Sequence, residues 1–190
     1  MDPLVSTRPL LAILVSLSVV PLIVFSKSRP NLRETWTFLA AGSKFLIVLS
    51  MLPHVLQGGQ YIYTLAEVLP GLPIQLRVDA MGMLFALVSS SLWIVTSAYS
   101  IGYMRGLNEH SQTRYFCFFA IALSSTIGVA FSANLFTMYL FYEMLSLATY
   151  PLVTHHQDSE AKISGRKYLT YILGTSIGLV LPAMLYVYHV

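Results

Sequence analysis

Long apolar stretches alternate with short polar segments along the chain, and the stretches have the length of membrane-spanning helices. A hydrocarbon core about 30 Å thick needs about 20 predominantly apolar residues in one α-helix. Six stretches fit, at residues 9–25, 35–55, 80–103, 114–131, 134–153 and 167–188. The pattern predicts an all-α integral membrane protein with about six transmembrane helices, forming a single membrane domain over residues 1–190.

Residues 57–79 have a different pattern. Apolar and polar residues alternate from Ile74 to Asp79, which is the period of a β-strand, and Pro70-Gly71 is a turn signal. We therefore expect a small external β-hairpin between helices 2 and 3. Asp79 is a residue type suited to cap the third helix at its N-terminus.

Composition excludes several classes of protein. Hydrophobic residues make up 56% of the chain and charged residues only 10%, whereas charged residues are about a quarter of a soluble domain. No basic run with interleaved aromatics points to nucleic acid. The single cysteine, Cys117, lies in an apolar stretch, so a disulfide framework is not expected. With no Gly-rich phosphate loop, cysteine cluster or nucleophile arrangement, we predict no cofactor and no metal.

The positive charges are distributed unevenly over the two sides of a six-helix arrangement. One side holds only Arg8 and Arg77, and the other holds Lys27, Arg29, Arg33, Arg105, Arg114, Lys162, Arg166 and Lys167. Cytoplasmic loops carry an excess of Lys and Arg. This predicts a multi-pass protein of the cell inner (plasma) membrane, with its N-terminus and the hairpin outside.

The fifth apolar stretch carries a carboxylate, Glu143, close to its middle. An ionised carboxylate there costs at least about 2.5 kcal/mol, so it is normally kept where it functions. Helical spacing places it on one mixed polar and aromatic face with Phe136, Tyr139, Ser146 and Tyr150. Our hypothesis is a proton-relay or cation-site carboxylate, with Tyr139 and Ser146 on a candidate path. The alternative is a structural carboxylate bonded to a neighbouring helix.

Both ends of this stretch are marked by the sequence. Asn134 is a good N-cap, and Pro151 predicts a stop or kink of regular helix. Ser132-Ala133 leaves only a tight turn after residues 114–131. We therefore expect the fourth and fifth helices to be antiparallel neighbours.

Further polar residues could extend a path through the membrane. Lys44 is either a relay group or a side chain whose long stem reaches the membrane surface. Ser124 and Ser125 could line a hydrated path, although close packing of small residues is the favoured interpretation. His155-His156 is interpreted as a solvated loop or a mouth group for protons rather than a metal-ligand pair, because adjacent histidines do not face one another.

The segment from Ala133 to Val153, followed by Gly165-Arg-Lys-Tyr-Leu169, resembles a known family. It is similar to the antiporter-like, proton-conducting membrane subunits shared by Mrp-type cation/proton antiporters, respiratory complex I and membrane-bound hydrogenases. The Leu-Ala-Thr-Tyr-Pro-Leu-Val and His-His-Gln-Asp motifs look most like the D-type members of Mrp antiporters. The resemblance implies that Glu143 is the glutamate of the family's fifth helix, which pairs with a lysine on the seventh.

The chain departs from this family in extent. Family members are built from two inverted repeats, whereas this sequence ends after the sixth stretch and has no seventh helix. Lys167, at the start of that stretch, does not replace the paired lysine. We expect the N-terminal part of a larger antiporter-like fold, either a split subunit completed by another chain or a truncated fragment, unable to pump alone.

Three hypotheses follow. The leading one is the N-terminal half of a proton-conducting subunit of a multisubunit Mrp-type Na⁺/proton antiporter, a transporter rather than an enzyme. Its partners would be other membrane subunits, including a chain that supplies the lysine, together with protons, Na⁺ and lipid, but no nucleic acid. The alternative is a pumping subunit of complex I or a hydrogenase, a translocase of the NADH:quinone oxidoreductase type. The third is a scaffold or assembly subunit that transports nothing.

Overall fold

A computed structural model describes residues 3–189 of the chain, which form a helical bundle with a small sheet at one end. The helices are α1 (Arg8–Phe25), α2 (Pro30–Leu56), α3 (Ala80–Gly106), α4 (Gln112–Ala130), α5 (Leu135–Val153), α6 (Ser159–Thr175), a π-helix (Ser176–Val180) and α7 (Leu181–His189). The strands are β1 (Leu4–Val5), β2 (Tyr61–Leu69) and β3 (Leu72–Val78). The predicted class, all-α with a hairpin between the second and third helices, is confirmed.

Within the described residues, five helical segments are long and apolar enough to cross a membrane. They are α1, α2, α3, α4 and the continuous segment Ser159–Tyr188. Helix α5 is not among them, because Glu143 and several Tyr and Thr side chains lower its hydropathy. That residues 134–153 span the membrane stays a prediction, and α5 packs along α4 and against α6 and α7.

Two helices begin earlier than their apolar patterns predict. Helix α2 begins at Pro30 rather than at residue 35, with the proline at its first position, where a missing N–H costs nothing. Helix α6 begins at Ser159 rather than at residue 167. Asp158 caps it by accepting a hydrogen bond from the Ala161 backbone N–H at 2.6 Å. In both cases the helix extends into a polar segment that the hydrophobic pattern could not show.

The predicted N-caps of α3 and α5 are confirmed. Asp79 Oδ1 accepts from Gly82 N–H at 2.8 Å, and Asn134 Oδ1 accepts from Thr137 N–H at 2.8 Å. Each satisfies a backbone donor that the first helical turn leaves free. At the other end of α5, regular helix continues past Pro151 and ends at Val153.

Helix α1 packs against α2 and α4, α2 packs against α3, and α4 packs most extensively against α5. Gly128 of α4 lies directly against the ring of Phe141 on α5, and a Cβ at this position would overlap that ring. The absent side chain lets the two helices approach closely, as small residues do in membrane helix pairs. The expected antiparallel pair is thus present.

The sheet has the order β1-β2-β3, with β1 parallel and β3 antiparallel to β2. The turn of the hairpin contains Gly71 at φ +81°, a left-handed conformation that glycine adopts without strain. The Arg77 N–H donates to Phe131 O at 2.6 Å and the Ala133 N–H donates to Gln75 O at 3.0 Å. These bonds attach β3 to the turn between α4 and α5, so the sheet lies at the N-terminal ends of α3 and α5.

Candidate functional site

Glu143 lies half-buried in the middle of α5, and its carboxylate is bonded to another helix. Ser176 Oγ donates a hydrogen bond to Glu143 Oε1. Ser176 is completely buried and is the first residue of the π-helix. The contact therefore joins the one carboxylate of α5 to the irregular turn between α6 and α7.

The π-helix follows from the position of Pro182. A proline inside a helix removes one backbone hydrogen bond, and its ring clashes with the carbonyl four residues earlier, here that of Gly178. The backbone widens just before it, and the Leu181 N–H bonds to Ser176 O, five residues back. The distortion that Pro182 imposes on the helix thus takes the form of a π-turn, a feature often found at functional sites.

Among the described residues, no basic side chain lies within ion-pair distance of the Glu143 carboxylate. Among them, the carboxylates within ion-pair distance of a basic side chain are Glu34 and Glu109. The other candidates on the same face of α5 are close by in sequence: Tyr139 is half-buried, and Ser146 is buried with its hydroxyl donating to Tyr142 O at 2.9 Å. The lysine that the family resemblance implies is not found in the part of the chain that the structure describes.

Lys44 is completely buried inside the bundle rather than extended to the surface. Its Nζ donates to Leu123 O of α4 at 3.0 Å and lies 5.0 Å from the centre of the Trp93 ring on α3. A carbonyl and an aromatic face both stabilise an ammonium group. The structure thus favours an interior position for this lysine over the alternative that its stem reaches the membrane surface.

Ser124 and Ser125 are completely buried in α4. Ser124 Oγ donates to Ile13 O of α1 at 2.8 Å, which links two helices, and Ser125 Oγ donates to Ile121 O of its own helix at 2.9 Å. Both hydroxyls are satisfied by backbone carbonyls. The geometry agrees with the close-packing interpretation.

The His155-His156 loop meets a second loop that the sequence alone did not connect with it. This second loop, between α3 and α4, contains Glu109 and His110. Glu109 Oε2 lies 3.8 Å from His155 Nε2 and 3.6 Å from His110 Nδ1. Arg114 donates to His155 O at 2.5 Å. Burial lowers the pKa of His155, as do the positive charges of His110, Arg114 and, to a smaller extent, His156, whereas Glu109 acts in the opposite direction.

A buried ion pair at the same end of the bundle was missed from the sequence. Glu34 of α2 accepts from Arg105 Nε at 2.9 Å and from Arg105 Nη2 at 2.6 Å, a two-point contact with α3. Arg33 Nη2 lies 3.4 Å from the same carboxylate and also donates to Gln112 Oε1 at 2.7 Å. Glu34, next to Arg33, is a usable signal in the sequence, but it lies one residue before the apolar stretch 35–55 that predicts this helix.

Residues 132–190 match the family model described as "NADH:quinone oxidoreductase/Mrp antiporter, TM". The chain is also 28% identical over 148 residues to the A1 subunit of the Na(+)/H(+) antiporter of Staphylococcus aureus (strain bovine RF122 / ET3-1), covering 74% of this chain. The chain is thus similar to antiporter-like membrane subunits, most directly over residues 132–190. It spans only 18% of the length of that curated relative. The predicted resemblance to antiporter-like subunits is confirmed; the relatives found include an A1 subunit, whereas the sequence motifs look most like D-type members.

Two solved structures share the fold. The Mrp complex from Dietzia sp. DQ12-45-1b gives a TM-score of 0.75 at 20% identity, covering 92% of this chain and 33% of that chain. The membrane-bound sulfane sulfur reductase (MBS), an archaeal respiratory membrane complex, gives a TM-score of 0.75 at 18% identity, covering 87% and 34%. At these identities the likeness to the two complexes shows the shared fold.

Proposed function

We propose that this chain forms part of a proton-conducting subunit of a multisubunit Mrp-type Na⁺/proton antiporter, with Glu143 as its proton-relay carboxylate. The observation that carries the proposal is the half-buried Glu143 in the middle of α5, hydrogen-bonded to the buried Ser176 at a π-helix. Ionisable groups at such depth are rare and usually take part in ion or proton pathways.

The relay requires a cation whose distance from Glu143 can change. A nearby positive charge stabilises the ionised carboxylate, and its withdrawal favours the protonated form. Ser176 fits both states, because a hydroxyl can donate to a carboxylate and can accept from a carboxylic acid. We propose that the cation is a lysine supplied by further helices of the complex.

The surface of the segment after α5 supports such a partner. Its exposed apolar side chains include Tyr171, Ile177, Leu179, Leu185, Tyr186 and Val187. Gly174 and Gly178 also face open space, since a Cβ on either would meet nothing within 4 Å. Small residues at this spacing allow close approach of a neighbouring helix in a membrane. The later helices would pack on this face, next to the π-helix and Glu143.

The test is Glu143→Gln in the intact complex, assayed in everted membrane vesicles by Na⁺-dependent collapse of a proton gradient. The amide keeps the shape and can still accept from Ser176, but it cannot bind and release a proton. We expect the exchange rate to fall by at least tenfold, while the complex still assembles and copurifies.

Glu160→Gln is the matched control. Glu160 is an exposed carboxylate in the first turn of α6, so the same chemical change there should leave transport unchanged. Transport by Glu143→Gln at the wild-type rate would refute the relay and favour the scaffold hypothesis.

A second candidate is a component of a redox-driven pump. It is favoured by the NADH:quinone oxidoreductase half of the family description and by the shared fold with a respiratory reductase complex. Glu143 would keep its role, and partner subunits would supply the electrons. Purification of the complex from native membranes distinguishes the two candidates. Copurified flavin and iron–sulfur subunits would identify a redox-driven pump, whereas small antiporter subunits without them would identify a Na⁺/proton antiporter.

A further inference from the structure

Two loops at the end of the bundle opposite the sheet bring together side chains that bind metals. Glu109 and His110 lie between α3 and α4, and His156 lies between α5 and α6. Their ligand atoms all lie within 4.8 Å of one another. The extensive packing of α4 on α5 sets this proximity, which the linear sequence does not show.

The residue types match a borderline-soft divalent ion. Zn²⁺ binds histidine nitrogen at about 2.0–2.1 Å and carboxylate oxygen at about 2.0–2.2 Å, in a tetrahedron. Ligand atoms in such a tetrahedron are roughly 3.3 Å apart, so closure from 4.8 Å needs movements on the order of 1 Å. His110 and His156 are exposed and Glu109 is half-buried, which leaves the side chains room to rotate and an ion free access.

The side chain of His155 gives independent support for a bound ion, because its ring nitrogens lack hydrogen-bond partners in the described part of the chain. Both of its ring nitrogens are buried and have no hydrogen-bond partner among the described residues. Its Nε2 points towards the cluster, 3.8 Å from Glu109 Oε2, and its ring centre is 4.9 Å from that of His110. A buried polar atom without a partner is uncommon and usually has a reason, such as an ion.

The loops themselves hold a constrained shape. Asn108, Ser111 and Gln157 are the non-glycine residues of the described chain with positive φ, at 50°, 54° and 58°. Each directly flanks a member of the cluster. His110 Nε2 also lies 3.0 Å from His155 O. The two loops are therefore held against each other by their own geometry, and an ion would need little reorganisation.

We propose that Glu109, His110 and His156 bind a divalent transition-metal ion of the zinc type, with His155, whose Nε2 lies 3.8 Å from Glu109 Oε2, as a candidate for the fourth position. The bound ion would join the α3–α4 loop to the α5–α6 loop and so fix α6 relative to α4. The site is remote from Glu143 and does not depend on the proposed relay.

The experiment uses the full chain in lipid nanodiscs, purified with an affinity tag free of histidine and stripped of metal by a chelator. Zn²⁺ is then titrated in competition with a chromogenic chelator. We expect one Zn²⁺ per chain, and we expect His110→Gln and His156→Gln each to weaken binding by at least tenfold. Because the readout is binding, loss of transport activity cannot be mistaken for failure of the site.

His54→Gln is the matched control, since the His54 ring lies against Tyr61 at the sheet end of α2, far from the cluster. It should bind Zn²⁺ as the wild type does. X-ray absorption of the loaded protein should show at least two imidazole nitrogens at about 2.0 Å. Equal affinity in the wild type and the His110→Gln/His156→Gln double variant would overturn the proposal, as would an equal loss in the His54 control. Unchanged circular dichroism and gel-filtration elution of each variant would show that its fold is retained.

Discussion

Lys44 and its neighbours show how a charged residue is accommodated in the interior of this bundle. Its Nζ has one backbone carbonyl and one aromatic face as partners, and its four-carbon stem fills space that an apolar residue would otherwise occupy. The stem and the charge therefore contribute differently. The stem stabilises the fold by packing, whereas the charge carries a desolvation cost.

Two substitutions at Lys44 separate these contributions. Lys44→Ala leaves a cavity, and we expect the free energy of unfolding to fall by about 2–5 kcal/mol. Lys44→Met keeps most of the volume and removes the buried charge, so we expect a change below about 1.5 kcal/mol. Thermal unfolding in mild detergent, followed by circular dichroism, measures both. Equal destabilisation by the two substitutions would show that the charge, and not the packing of the stem, holds the position.

Residue-level predictions from sequence succeeded where the contact is local. The caps at Asp79 and Asn134 depend on a backbone N–H three residues away, so spacing alone identifies them. The partner of Glu143 was not identifiable in this way. Ser176 lies on a different helix, and its direction is set by a π-turn that no regular period describes.

At the scale of elements, α2 and α3 are joined at the end opposite the sheet by the Glu34–Arg105 pair. Glu34 is nearly inaccessible, with 8% of its side chain exposed, whereas 45% of the Arg105 side chain is exposed. Arg33, with 5% exposed, depends on the same carboxylate for its charge balance. Removal of the acidic group would thus leave a buried guanidinium without a counter-charge.

We expect Glu34→Gln to lower the free energy of unfolding by about 3 kcal/mol, the lower end of the range for breaking a buried pair, since Arg105 remains partly hydrated. Thermal unfolding in detergent is again the measurement. Glu160→Gln, the same change at an exposed position, should shift the midpoint very little. A midpoint for Glu34→Gln equal to that control would mean that the network contributes nothing to stability.

Element boundaries were harder to predict than element types. Hydrophobicity marks where a helix enters apolar surroundings, but α2 and α6 begin in polar segments that precede them. Pro30 and Asp158 are the residues that determine those starts, through a fixed φ and a side-chain cap. Strand β1, only two residues long, has no pattern of its own and forms by pairing with β2.

At the scale of the molecule, the two ends of the bundle differ in charge and in structure. One end carries the sheet together with Arg8 and Arg77, and the other carries the Glu34–Arg105 pair and the histidine loops. The fold class was predictable because it depends on many apolar positions at once, and the family resemblance was recognisable because one segment, Ala133 to Val153, carries its motifs. The joining of distant loops was not, since it depends on how whole helices pack.

Orientation in the membrane is a prediction at this scale. In a Cys117→Ser background, a cysteine replacing the exposed Val68 in the hairpin should react with an impermeant maleimide added to intact cells. A cysteine replacing Glu160 should react only after the membrane is permeabilised. The expected result follows from the excess of positive charge at the end that carries Glu160. The reverse labelling pattern would contradict the predicted topology.

The π-helix at Ser176–Val180 has a geometric consequence for the segment that follows it. Each residue of an α-helix advances about 100° around the axis, so one extra residue in a turn rotates everything downstream by that angle. Each side chain of α7 therefore points where a regular α-helix continued from α6 would place the preceding residue of the sequence. A deletion of one residue within Ser176–Val180 would remove the extra residue and restore a regular α-helix, so the aromatic side chains Tyr186 and Tyr188 should keep the sides of the bundle on which they lie now.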